Sequence, residues 1–306
     1  MWKILPLVAV LMLASPMLTS AAQAASPRDK LLVTPAWLAA HLADKNLVIL
    51  HAGSQADFAA GHVAGARLVA RESLATTGPA GLILEFPNAE TLRKELQDLG
   101  VSDRSRIVVY AGSGAIPAAT RIVFTLDTAG LGDRVSLLDG GLAEWTRAGH
   151  TTTAETPTVA KGRLSPLKIQ PRIVDAAFVR DRAKAAGYDL LDARAGIFYD
   201  GLRPDPLAGP AGKLGHIPGA RNFPATSVTT ADNRLKSPEA LAAAFQAAGV
   251  KPGDRVVVYC HVGQIATAVI LAARTLGISA QLYDGSYQDW TIRGLPVEAQ
   301  PGASAK

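Results

Sequence analysis

Short apolar runs rich in β-branched residues alternate along this chain with longer stretches in which apolar residues recur every three or four positions. In the second half, residues 256–260 form a continuous apolar run, which is typical of a buried central strand. Residues 237–249 and 264–277 have helical spacing, and the first of these begins with Ser237 as N-cap and ends at Gly249. Strands that alternate with helices predict an α/β fold, with a central parallel sheet flanked by helices.

Three blocks of the first half recur in the same order in the second half. GHVAGAR matches GHIPGAR, RIVVYAGSGA matches RVVVYCHVGQ, and SLLDGGLAEW matches QLYDGSYQDW. A duplicated domain is the economical explanation of three ordered matches. We therefore predict a first domain over residues 27–155, a linker over residues 156–168 in a stretch rich in Thr, Pro and Gly, and a second domain over residues 169–300.

The N-terminus has the pattern of a secretory signal peptide over residues 1–24. One charged residue, Lys3, precedes an apolar stretch over residues 4–18, and the small-residue pattern Ala-Gln-Ala follows it. An uncleaved membrane anchor is the alternative, but the stretch is shorter than the roughly 20 residues that a span needs, and it contains Pro6 and Pro16. We expect export through a cleaved signal peptide, and no membrane association after cleavage.

Composition and charge exclude several classes of partner and of site. Hydrophobic residues make up 48% of the 306 residues, enough for two packed cores, and the net charge is +5 with scattered Lys and Arg. We therefore expect no nucleic-acid partner. The six histidines are spread along the chain, so we expect no metal site. The single cysteine, Cys260, excludes a disulfide within the chain.

Cys260 stands where a predicted central strand meets a predicted helix, and sites in parallel sheets lie at the carboxyl ends of strands. Gly263 permits a tight turn, and the helix that follows presents unpaired backbone N–H groups to the turn. We expect these groups to lower the pKa of the Cys260 thiol and make it a reactive nucleophile. The predicted active-site loop consists of His261, Val262, Gly263, Gln264 and Ile265.

Elimination favours sulfur transfer at this cysteine. A cysteine hydrolase needs a placed base, and His216 and His261 are candidates by residue type only. A phosphatase of the tyrosine-phosphatase kind needs an arginine six positions after the cysteine, where this chain has Ala266, and a thioredoxin-like site needs a second cysteine. One thiol suffices to take a sulfane sulfur as a persulfide and pass it to a thiol or cyanide.

As a set, these motifs resemble the tandem form of the rhodanese family of sulfurtransferases. The resemblance rests on GHIPGA with LLDAR, on VVVYCHVGQIA and on LYDGSYQDW, and on their counterparts in the first half. It implies two small α/β domains, a persulfide on Cys260 and no other cofactor, and a catalytically silent first domain, in which Ala111 stands in the cysteine position. It also implies a bacterial periplasmic location for the exported chain.

The resemblance leaves the donor open. The loop sequence Cys-His-Val-Gly-Gln-Ile fits neither the thiosulfate nor the 3-mercaptopyruvate enzymes of the family, and Phe198 stands where such enzymes carry an arginine that Arg203 would have to replace. We expect thiosulfate first and 3-mercaptopyruvate second, with a small thiol, cyanide or a protein as acceptor. The alternative is a non-enzymatic module that carries sulfur for, or binds, a partner protein.

Three further residues are candidates for substrate binding or for bracing the loop. Arg194 binds substrate or pairs with a carboxylate such as Asp192 or Asp284, and we favour pairing. Ser286 and Asp284 follow the last predicted strand, on the same edge as Cys260. His216, which recurs in both halves, is expected to be structural. The Pro- and Gly-rich insertion over residues 203–213 is either a rim of the pocket or a surface loop.

Overall fold

The computed structural model describes Trp2 and residues 26–70, 72–114, 116–208 and 212–299. The predicted signal peptide therefore lies outside the described residues, apart from Trp2. Within the described part of the chain, no helix is both long enough and apolar enough to cross a membrane.

The first half contains a five-stranded parallel sheet with the strand order β1-β5-β4-β2-β3. The strands are β1 (Leu32–Val33), β2 (Leu47–Ala52), β3 (Arg67–Val69), β4 (Arg106–Ala111) and β5 (Val135–Leu138). The helices are α1 (Pro27–Leu31), α2 (Pro35–His41), α3 (Gln55–Ala60), α4 (Ala89–Asp98), α5 (Pro117–Leu126) and α6 (Gly141–Arg147).

The second half repeats this topology with the strand order β6-β10-β9-β7-β8. The strands are β6 (Ile173–Val174), β7 (Tyr188–Asp192), β8 (Arg221–Asn222), β9 (Arg255–Tyr259) and β10 (Ser279–Tyr283). The helices are α7 (Ala176–Arg182), α8 (Gly196–Tyr199), α9 (Pro238–Ala247), α10 (Ala266–Thr275) and α11 (Ser286–Ile292). The predicted α/β fold with two parallel sheets is confirmed.

The histidines of the repeated GH motif make equivalent contacts in the two domains. His62 stacks on Phe58 with ring centroids 3.6 Å apart, and its Nδ1 lies 2.7 Å from the Phe58 carbonyl oxygen. His216 stacks on Tyr199 at 3.7 Å, and its Nδ1 lies 2.8 Å from the Tyr199 carbonyl oxygen. Each imidazole therefore ties a turn to the end of the preceding helix, as a structural residue does.

The two domains share one apolar core through α5 and α10. Every residue of α10 except Arg274 is buried, because its own sheet covers one side and the first domain covers the other. A helix that is apolar all round is stable only when it is enclosed in this way. The segment predicted as a linker follows the first domain closely: the Gly162 N–H donates to the Gln97 carbonyl at 2.7 Å, and Leu164 is buried.

Candidate active site

Cys260 directly follows β9 at the carboxyl edge of the second sheet, and it is only 1% exposed. Its N–H donates to the Ser286 hydroxyl at 3.1 Å, and this hydroxyl donates to the Tyr283 carbonyl at 2.8 Å. The Cys260 carbonyl accepts a hydrogen bond from the Tyr287 N–H at 3.0 Å. The loop after β10 and the start of α11 therefore fix the cysteine backbone on both sides, and Ser286 has a bracing role.

The loop after the thiol forms a cradle of backbone N–H groups. The N–H groups of Val262, Ile265 and Ala266 face the Cys260 sulfur and act to lower the pKa of its thiol. Gly263 makes this curvature available: its φ is +75°, and a Cβ there would lie 2.6 Å from the Asp284 carbonyl oxygen. A side chain at this position would be strained and would collide with backbone, so the loop requires glycine.

The expectation of a lowered thiol pKa is wrong for the closed site. Burial raises the pKa of Cys260 above its ordinary value, and the three N–H groups lower it by less than burial raises it. Asp192 raises it further. Because the loop closes over the sulfur and excludes water, the charged form loses more solvation than the cradle returns. The resting site therefore holds a thiol, and its proton must leave when the sulfur reacts.

Arg194 braces the site and is not available to a substrate. Its side chain is fully buried; Nη2 lies 2.6 Å from Asp192 Oδ2 and Nη1 lies 3.2 Å from Asp205 Oδ2. The guanidinium also lies 3.8 Å from the centre of the Tyr287 ring. Burial lowers the pKa of Arg194, but the two carboxylates outweigh it and raise the pKa overall. Of the two expected partners, the structure shows Asp192 and not Asp284.

Asp205 is a site residue that the sequence analysis missed. It lies in the insertion predicted as a rim or a surface loop, is 7% exposed, and its Oδ2 lies 2.7 Å from His261 Nδ1. Burial raises the pKa of Asp205, but His261 and Arg194 lower it by more, so its carboxylate is stabilised. Phe198, at the position of the missing arginine, packs edge-on against the His261 ring at 5.0 Å. Asp205 and Phe198 thus fix the orientation of the imidazole that follows the cysteine in the chain.

Asp284 faces the first domain. Its Oδ1 lies 2.5 Å from Nη1 of Arg121, which is in α5, and its Oδ2 accepts a hydrogen bond from the Phe86 N–H at 2.7 Å. The carboxylate is 4% exposed and is satisfied by these contacts, so it is a bracing residue. The Gln264 carbonyl accepts a hydrogen bond from the Thr267 hydroxyl at 2.7 Å.

Both halves of the chain match the model of one known protein family. Residues 34–148 and 175–293 each match the model of the rhodanese-like domain. The chain belongs to the rhodanese family. Of the described residues of this rhodanese, no group of three or more His, Cys, Asp or Glu side chains could hold a metal ion.

Curated relatives of this rhodanese are sulfurtransferases. It is 29% identical over 311 residues to a putative thiosulfate sulfurtransferase of Synechococcus elongatus, covering 97% of this chain and 94% of the relative. It is 30% identical over 275 residues to the 3-mercaptopyruvate sulfurtransferase of Escherichia coli, covering 86% and 95%. The thiosulfate sulfurtransferase of Rattus norvegicus is 32% identical over 257 residues, covering 80% and 82%. This rhodanese is therefore an enzyme of the sulfurtransferase class.

Two solved structures have the same fold, and the first of them is also a sulfurtransferase. A crystal structure of the 3-mercaptopyruvate enzyme from Escherichia coli superposes with a TM-score of 0.73 at 29% identity, covering 83% of this rhodanese and 98% of that chain. An anaerobic ergothioneine biosynthesis enzyme from Chlorobium limicola superposes with a TM-score of 0.79, covering 90% and 71%, at 20% identity. The second likeness shows the fold alone.

Proposed function

We propose that this rhodanese moves a sulfane sulfur from a small donor to a thiol or cyanide through a persulfide on Cys260. The observation that carries the proposal is the convergence of three backbone N–H groups on the sulfur of a single cysteine, held at the end of β9. When the persulfide forms, these fixed dipoles face the negative charge without having to reorganise. No second cysteine and no metal is needed for this step.

Electrostatics favours a donor with one negative charge. The Arg194 guanidinium is shared between two carboxylates, Asp192 and Asp205, and Phe198 places an uncharged ring beside His261. Because the two carboxylates already neutralise Arg194, this guanidinium offers little attraction to the second negative charge of a dianion such as thiosulfate. We therefore place 3-mercaptopyruvate, a monoanion, ahead of thiosulfate, which reverses the order expected from the sequence.

The transfer from 3-mercaptopyruvate balances with the groups present. The Cys260 sulfur bonds to the donor sulfur while the donor carbon–sulfur bond breaks, and the electron pair leaves as the enolate of pyruvate. The enolate takes up the thiol proton, for which His261, held by Asp205, is the relay next to the cysteine. Cyanide or an acceptor thiolate then attacks the outer sulfur and releases the Cys260 thiolate.

The test is a rate assay on the protein without residues 1–24, with cyanide as acceptor and each donor in turn, beside Cys260→Ser. We expect turnover with 3-mercaptopyruvate, a lower kcat/KM with thiosulfate, and none in the variant. Higher kcat/KM with thiosulfate would overturn the donor assignment. Turnover that survives in Cys260→Ser would overturn the persulfide.

The burial of the thiol supports a second candidate, a sulfur carrier for a partner protein. At 1% exposure, Cys260 is shielded from small acceptors unless the loop opens. A carrier would gain the mass of one sulfur at Cys260 on incubation with donor and would not turn over with cyanide. Intact-mass measurement beside the rate assay separates these two functions.

We also propose that the chain acts after export to the periplasm, on the evidence of its first 24 residues. Fractionation of bacteria that express the full sequence, with N-terminal sequencing of the product, tests this. A cytoplasmic product that begins at Met1 would contradict it.

A further inference from the structure

A side chain of the domain without the thiol contacts the active-site loop. Arg121 is in α5 of the first domain and is 4% exposed. Its Nη1 donates to the Gly263 carbonyl at 3.1 Å and to Asp284 Oδ1 at 2.5 Å. Its Nη2 donates to the Leu84 carbonyl at 2.5 Å. One guanidinium thus joins two segments of the second domain to two of the first.

The contact with Gly263 bears on the cradle. The peptide bond between residues 263 and 264 is trans, so its carbonyl and its N–H point in opposite directions. When Arg121 holds the carbonyl toward the first domain, this peptide plane is fixed between the Val262 and Ile265 N–H groups that face the sulfur. The orientation of the cradle therefore depends on a residue outside the catalytic domain.

The carbonyl of the next loop residue, Gln264, is also connected to the first domain by hydrogen bonds. The Gln264 carbonyl accepts from the Thr267 hydroxyl at 2.7 Å, and this hydroxyl lies 2.8 Å from the Thr120 hydroxyl of α5. Adjacent residues of α5, Thr120 and Arg121, thus support adjacent carbonyls of the loop. Packing of the two domains alone would not require two neighbouring residues of α5 to support two neighbouring carbonyls of the loop.

We propose that Arg121 is a positioning residue for sulfur transfer at Cys260, supplied by the catalytically silent domain; this proposal rests on the proposed function. The charge of Arg121 is matched by Asp284, so the pair adds little net field at the sulfur. Arg121 therefore acts by orienting the N–H groups and not by binding an anionic donor. Its loss lowers kcat and the reactivity of the thiol, and it leaves KM nearly unchanged.

The chain offers a matched control in Arg274. This residue is at the other end of α10 and forms an interdomain ion pair, with Nη1 2.9 Å from Asp127 Oδ2 and Nη2 3.0 Å from Asp127 Oδ1. Arg274→Met removes a guanidinium from the domain interface without contact to the loop, whereas Arg121→Met removes one that contacts the loop. A difference between these variants isolates the loop contact from general loosening of the interface.

The experiment measures kcat, KM and the pH-dependent rate of Cys260 alkylation by iodoacetamide in both variants. We expect Arg121→Met to lower kcat by about tenfold to a hundredfold, with KM changed less than about twofold, because small misplacements cost rate. We expect its alkylation profile to shift to higher pH, and both readouts to stay at wild-type values in Arg274→Met. Alkylation needs only the thiol, so it tests the positioning even if neither sulfur donor turns over.

Loss of folding is controlled by a second pair of variants. Arg121→Met with Asp284→Asn removes both charges of the pair and leaves no buried carboxylate unpaired, and Arg121→Lys keeps the charge but not the fork of donors. We expect the double variant to fold with a low kcat, and Arg121→Lys to recover only part of the rate. Wild-type kcat and a wild-type alkylation profile in the folded double variant would overturn the proposal.

Discussion

The two domains have the same strand, loop and helix at their carboxyl edge, and they differ in what lies beneath the loop. His51 pairs in register with Tyr110 as Asp192 pairs with Tyr259, so His51 and Gly53 occupy the positions of Asp192 and Arg194. In the second domain these positions carry a buried ion network. In the first they carry a histidine that is fully buried.

The histidine of the first domain is accommodated as a neutral group. Burial lowers the pKa of His51 to about 4, and its Nδ1 lies 2.9 Å from the Tyr110 hydroxyl. A Cβ on Gly53 or on Gly112 would lie 2.6 or 2.5 Å from His51 Nε2, so the imidazole requires glycine on both sides. Where the second domain has the Arg194 guanidinium between carboxylates, the first domain has the neutral ring of His51 between two glycines.

The loop of the first domain also lacks part of the cradle. Ala111 has no sulfur, and Pro117, at the first position of α5, has no N–H where Ala266 donates to Cys260. The first domain therefore differs in the thiol, in a cradle donor and in the buried charges. The comparison shows that a rhodanese fold persists when all three are absent.

The largest effect is expected from breaking the ion network with Arg194→Met. The change leaves Asp192 and Asp205 buried without their cation, which costs about 3–5 kcal/mol of the free energy of unfolding. Urea unfolding measures this cost. Arg180→Met in α7, which removes an exposed pair with Asp181, is the control and is expected to leave the unfolding midpoint nearly unchanged. Equal unfolding midpoints for the two variants would contradict the bracing role.

Giving the second domain the proline that the first domain has at the start of α5 should slow persulfide formation and leave the fold intact. Ala266→Pro removes one of the three N–H donors at Cys260, and proline suits the first position of a helix. Loss of one such donor lowers rates about a hundredfold. Samples are incubated with donor and quenched at a series of times, and intact-mass analysis of these samples gives the rate of persulfide formation. An unchanged rate with unchanged stability would show that the third donor is dispensable.

A smaller and pH-dependent effect is expected at Glu85, which lines an interdomain cavity of about 820 Å³. Burial first, and then Asp284, raise the pKa of Glu85 from 4.5 to about 7. The folded protein therefore binds this proton more tightly than the unfolded chain, and stability falls as the pH rises from about 4.5 to about 7.

In Glu85→Gln this pH dependence should disappear. Because the side chain is only partly buried, we expect a gain of about 1–2 kcal/mol over the wild type at pH 8 and little change at pH 5. Thermal unfolding at both pH values measures the difference. A variant that is less stable than the wild type at pH 8 would show that the carboxylate has a stabilising partner there.

An effect on stability of similar size, but without the pH dependence, is expected from Ser286→Ala. The hydroxyl accepts the Cys260 N–H, and its loss leaves a buried donor unpaired at a cost of about 1–2 kcal/mol. The first domain has Gly141 in this place with φ of +57°, close to the +53° of Ser286. Ser286→Gly should therefore relieve backbone strain while losing the same hydrogen bond. If urea unfolding finds Ser286→Ala as stable as the wild type, another acceptor serves the N–H.

Much of the architecture could be predicted from the sequence, since the matched blocks fix the repeat and the apolar run at 256–260 fixes the strand that ends at Cys260. The sign of the thiol pKa change could not be predicted, because the depth of burial depends on segments distant in the chain. Asp205 was missed because its insertion has no counterpart in the first half. Arg121 was missed because an arginine in an apolar helix gives no indication of its partners.

The enclosure of helix α10 limits which parts of the chain can be substituted or separated. The strip of α10 that faces away from its own sheet is covered by the first domain, and this apolar strip would meet water if the second domain stood alone. The first copy can therefore lack the thiol and keep the fold, but the face of α5 that packs on α10 must still fit that helix. If the gene were divided between the halves, we expect each fragment to expose its part of this shared core and to need the other fragment to cover it.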